Sequence, residues 1–241
     1  MKNTERRVST VIKFLFTLLI LFAFSCSQDT MLDPLPADLD ASSINGVSAK
    51  ASNEAKASSK QTAAIGGLDD ISGTSTLHRN KNGIAVNFKA TGLNPGAYTI
   101  WWVIWNNPQD CATPGECNDG DFGQAVLVEV EVMYAAGHVV GNNGKGNFSA
   151  HLNAGDDTPE SLNTAFGFPS VGGLRVGNTF DAEVHIVLRT HGPTVPGLVN
   201  DQISSYAGGC DTPFLIPPFT AYPDEIGQCA DIAAAVFAPV N

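Results

Sequence analysis

Basic residues are scarce. The 241-residue chain carries 13 lysines and arginines against 24 aspartates and glutamates, a formal net charge of −11. A surface of that sign repels phosphate backbones, which argues against nucleic acid as a partner. The plainer reading of the acidity is solubility. Long apolar runs are also missing: Phe14 to Phe24 gives about 11 residues where a membrane-spanning helix takes roughly 20, so a stable transmembrane anchor is disfavoured. No repeat of fixed period is visible, which argues against a propeller or solenoid. There is no Gly-x-Ser-x-Gly elbow, no His-Glu-x-x-His and no phosphate-binding loop, so nucleophilic catalysis lacks support and a binding role leads an enzymatic one.

What is present starts with export. Lys2, Arg6, Arg7 and Lys13 precede the apolar run, which ends at Ala23-Phe24-Ser25 before Cys26, the zones of a cleaved signal peptide over residues 1–25. Leu21 to Cys26 resembles the lipobox of bacterial lipoproteins, departing from it at Ala23, where that family favours leucine, and at Phe24, where it favours a small residue. The resemblance implies that Cys26 is the first mature residue, carries the lipid (palmitate among its chains) and anchors the protein to a membrane of the cell envelope, facing the periplasm or the cell surface. Ala23-x-Ser25 also suits the ordinary signal peptidase, which would leave a bare thiol. Cysteine parity favours lipidation: without Cys26, four cysteines remain (111, 117, 210 and 229), an even number for two disulfides in an oxidising compartment. Loss of Lys2, Glu5, Arg6, Arg7 and Lys13 with the leader leaves 9 basic against 23 acidic residues, a net charge of −14.

Residues 26–70 read as the lipidated cysteine and a disordered tether, because Ser, Ala, Lys, Asn and Asp follow one another there without an apolar period. From residue 71 to 241 short alternating segments predict a single antiparallel all-β sandwich, Ig-like or jelly-roll-like. Ile84, Val86 and Phe88 mark one strand. Ala97 to Trp105 is apolar on both faces and predicts a central strand covered on two sides. Further strands are expected at Val126–Val132, around Phe148–Leu152, at Val184–Leu188 and at Ala233–Ala238, with one short helix near Val199–Tyr206.

Asn87 to Thr99, with its Gly92-Leu93-Asn94-Pro95-Gly96 turn, resembles the strand–turn–strand of secreted sandwiches such as CHRD domains and copper-zinc superoxide dismutases. The resemblance implies a sandwich, but the paired histidines that bind copper in the dismutases are replaced here by Trp101, Trp102 and Val103, so it implies no dismutase chemistry.

Four groups of side chains are candidates for chemistry. Cys111, Cys117, Cys210 and Cys229 are expected to form structural disulfides, with three pairings open. Asp119 and Asp121, in an acidic loop with Glu116 and Asn118, could face calcium, although the spacing is not that of an EF-hand. Glu183, His185, Val187, Arg189 and His191 share one strand face by the period of two, the carboxylate orienting the imidazole and the arginine suited to an anion. Six residues of strand span roughly 20 Å, so His185 and His191 are too far apart to share a metal on a regular strand. A two-residue Asn143-Gly144 hairpin would bring His138 and His151 within reach of one transition-metal ion. The expectation is an envelope-anchored binding domain whose partner is a surface ligand or protein and whose cofactor is undefined. The alternative is a metal-binding protein or metal-dependent enzyme using His138, His151, His185 and His191.

Overall fold

The computed structural model describes residues 57–68, 70–211 and 226–240. The signal peptide, Cys26 and most of the expected tether lie outside them. Two antiparallel sheets make the all-β sandwich that the alternation predicts. One has four strands, ordered β1 (Ser58–Ala64), β3 (Ser72–Asn80), β4 (Gly83–Thr91) and β7 (Lys145–Asn153). The other has five, ordered β2 (Gly66–Gly67), β9 (Ala230–Phe237), β8 (Glu183–Thr190), β5 (Gly96–Trp105) and β6 (Val130–Val140). The core between them takes Leu77, Ile84, Val86, Phe88, Phe148 and Leu152 from the first sheet. From the second it takes Tyr98, Ile100, Trp102, Ile104, Val184, Ile186, Leu188 and Phe237. Each such side chain contributes about 2 kcal/mol by leaving water.

Strand structure starts earlier than the composition suggests. Ser58–Ala64 pairs along β3, from Ser58↔Asn80 to Ala64↔Thr74, and the chain then crosses at the buried Ile65 so that Gly66 and Gly67 pair with β9. β1 is a polar edge strand held by its ladder, and such a strand has no apolar period to read. Arg79 closes the same end of the sandwich. Almost wholly buried, it donates to Gln61 Oε1 and to the carbonyls of Thr179, Ala182, Phe237 and Ala238. Burial lowers its pKa to about 10.

Val126–Val132 is not one strand. Residues 125–128 form a helical turn, α1, with Ala125 and Val128 buried, Val126 and Leu127 exposed, and Glu129 in the left-handed region (φ 46°) ending it. The burial step is three before Val128 and two after it, so the valines that alternate in sequence do not alternate in space. The second short helix, α2 (Val199–Ser204), stands where the sequence places it. It packs against β6 at Gly137, where a Cβ would lie 1.7 Å from the Ile203 carbonyl oxygen.

Candidate functional site

β5 is buried along its whole length because both its faces are covered. Tyr98, Ile100, Trp102 and Ile104 enter the sandwich. Trp101, Val103 and Trp105 point the other way, into a second apolar layer with Val130, Val132, Leu162 and Tyr206. Two loops and α2 roof this outer face. Both disulfides tie the roof down: Cys111–Cys117 closes one loop, and Cys210–Cys229 joins the segment after α2 to the start of β9. These are the sequence-local pairings of the three that parity allowed.

Between sheet and roof lies a cavity of about 690 Å³, mainly apolar, lined by Trp101, Trp105, Phe122, Phe166 and Tyr206 together with His185, Val187, Asp119, Asp231, Ala234 and Val236. Its rings pack edge-on or tilted: Trp101 on Tyr206 at 5.2 Å, Trp105 on Phe122 at 5.1 Å and on His185 at 5.9 Å. Its volume and composition are those of a small-molecule site. A more open hollow of about 790 Å³, with Leu127 and Val126 on its wall, lies on the far side of Phe122 and Phe168.

The row on β8 faces this cavity layer. Glu183 is fully buried, and its Oε1 accepts from the Cys117 amide at 3.0 Å and from His185 Nε2 at 2.7 Å. A carboxylate only accepts, so His185 carries a proton on Nε2, and in the neutral imidazole Nδ1 is the acceptor. Oε2 of Glu183 and Nε1 of Trp105 have no hydrogen-bond partner among the described residues. Sequence periodicity therefore places Glu183 and His185 correctly, and the structure joins them.

Arg189 does not present an open anion site. It is fully buried, donating to Asp231 Oδ1 at 2.9 Å and to the Tyr206 carbonyl, with its guanidinium 3.8 Å from the Tyr206 ring centroid. Burial raises the Asp231 carboxyl above its ordinary pKa, against the pull of Arg189, and burial raises the Tyr206 phenol as well. His191 continues the row but belongs to a closed network. Trp101 Nε1 donates to Thr99 Oγ1, which donates to His191 Nε2, and His191 Nδ1 donates to the Gly208 carbonyl. Burial lowers its pKa to about 4, helped by Arg189 and opposed by the Gly208 bond. The sulfurs of Cys210 and Cys229 lie 3.5 and 3.8 Å from Nδ1. All three side chains could reach one ion, but two sulfurs joined to each other offer no thiolate.

His138 and His151 do not form the expected pair. The Asn143-Gly144 turn is a corner between sheets, not a hairpin: β6 pairs with β5 (His138↔Tyr98) and β7 with β4 (His151↔Ala85). A register shift in β6, where Ile100 faces Ala136 and Trp101 faces Tyr134, also changes the phase. His138 then lies edge-on to Phe148 at 5.8 Å while Val139 is exposed. His151 is exposed and bonds Asn153. Asp121 is buried, with both oxygens accepting amides from Ala112 and Asn118, and it caps the short helix that carries Phe122. Asp119 remains exposed at the cavity.

The aromatic wall is what sequence reasoning misses. Trp101 and Trp105 at alternate positions of a wholly apolar strand were the available signal. Phe122, Phe166 and Tyr206 come from loops with no period. No protein family, characterised protein or solved structure matches the chain.

Proposed function

We propose that this protein is an envelope-anchored lipoprotein, tethered through Cys26, whose sandwich domain binds a small, largely apolar, ring-bearing molecule on the outer face of its five-stranded sheet. One observation carries the binding part: an aromatic cavity of about 690 Å³ with the His185 imidazole in its wall, held from behind by the buried Glu183 carboxylate. Sites of this kind take shape complementarity from apolar walls and orientation from a few polar groups. The two disulfides support an oxidising compartment. An acid–base enzyme on the same pair is the second reading, because Nδ1 of His185 is left to accept a proton.

Titration of the purified domain with N-phenylnaphthylamine, a neutral apolar fluorophore, tests the cavity. Saturable one-to-one binding is expected, abolished in Ala234→Trp, which fills the wall, with melting unchanged. Binding that persists in that variant places the ligand elsewhere. Radiolabelled palmitate entering the wild type but not Cys26→Ser tests the anchor.

A further inference from the structure

We infer that the cavity selects an organic cation, a protonated amine carried on an apolar ring, over neutral or anionic molecules of the same shape. The inference rests on the binding reading above and names the chemistry that the site would prefer.

Charge is distributed unevenly over the fold. The chain has no lysine or arginine between Lys89 and Lys145 and none after Arg189. Those stretches supply β5, β6, β9 and the loops bearing Phe122 and Tyr206. Lys60, Arg79, Lys89 and Lys145 belong to strands of the other sheet. Among the described residues Lys81 lies in the turn between β3 and β4, and the two remaining cations are both engaged: Arg175 pairs with Glu129, and Arg189 with Asp231. Among the described residues the fixed charges lining the cavity are the carboxylates Asp119 and Asp231, and an anion would meet no lysine or arginine there that is not already paired.

Behind the wall, the carboxylate of Glu183 is removed from water with an imidazole and one amide on a single oxygen; among the described residues no arginine or lysine lies within salt-bridge range, and Arg79 acts on it only from farther away. A buried carboxylate compensated so thinly gains from a positive charge brought close by. His185 transmits the preference. With Nε2–H directed at Glu183, Nδ1 of the neutral imidazole can receive an N–H from an ammonium group, and Asp119 offers a second acceptor at the wall. The faces of the surrounding rings attract cations too.

Calorimetric titration with naphthylmethylamine, naphthylmethanol and naphthoate, three probes of one shape and different charge, tests this on the intact mature domain. The amine is expected to bind at least about tenfold tighter than the alcohol, and the carboxylate weakest. Glu183→Gln and Asp119→Asn should each reduce the ratio of amine to alcohol affinity. Asp119 is exposed, so its variant remains informative if Glu183→Gln fails to fold. Equal affinity for amine and alcohol would overturn the charge preference and leave the cavity reading standing. Failure of all three probes and of N-phenylnaphthylamine would remove both.

Discussion

Glu183 Oε1 and His185 Nε2 lie 2.7 Å apart, two residues along one strand, with the amide of Cys117 on the same carboxylate oxygen. A disulfide loop, a buried charge and an imidazole thus meet at one atom. The consequences for the two residues differ. His185→Gln, whose amide can still donate to Glu183, should weaken probe binding severalfold at a smaller cost in stability. Glu183→Ala should also lose about 2–3 kcal/mol of stability in denaturant titration, because it leaves the Cys117 amide and the imidazole without their acceptor. Equal stability of the two variants would show that the carboxylate does not hold the loop.

Stability should fall as pH drops from about 6.5 to about 4. His191 has its pKa lowered to about 4 by burial, so in that window the unfolded chain takes up a proton that the folded state refuses. The stabilisation is complete above the unfolded pKa and amounts to about 3 kcal/mol. Asp231, raised by burial, works in the opposite sense, favouring the fold at low pH. Denaturation midpoints measured across this range should flatten in His191→Gln; an unchanged slope would assign the effect to other groups.

Arg79 should tolerate no conservative exchange. Its guanidinium reaches carbonyls from two separate segments at once, which a lysine ammonium cannot do in the same geometry. Arg79→Lys is expected to cost about 2 kcal/mol and Arg79→Ala more, read from chemical unfolding.

Glu131, on β6, anchors the loop over residues 161–173, which has no periodic signal. Its carboxylate accepts from the hydroxyls of Ser161 and Ser170 and from the amides of Val171, Gly172 and Gly173. Removing a fully buried acceptor of charge-assisted bonds should cost about 3 kcal/mol. Limited proteolysis of Glu131→Ala should cut first between residues 161 and 173.

The disulfides should contribute unequally. Chain-entropy arguments give about 2 kcal/mol for the short Cys111–Cys117 loop and about 3 kcal/mol for Cys210–Cys229. Paired Cys-to-Ser variants compared by thermal melting check the order. The Cys111/Cys117 variant should in addition weaken probe binding, since that loop leads into the short helix carrying Phe122.

Local pattern alone determined the parts that obey a period. Alternation located β4, β7 and β8, a short apolar run at Ala233–Ala238 marked β9, and unbroken apolarity identified β5 as a strand covered on both faces. The period of two put Glu183, His185, Arg189 and His191 on one side. Only tertiary structure decided what that side faces. Loops with no periodic signal bring Phe122, Phe166 and Tyr206 over it, and Asp231 turns Arg189 from an anion candidate into a buried pair. Strand partners likewise depend on contacts distant in sequence: β6 and β7 flank a hairpin-type turn yet enter different sheets, β6 along β5 and β7 along β4. That separates His138 from His151. Polar β1 is recruited by backbone hydrogen bonds, which are the same for every sequence and therefore leave no trace in this one.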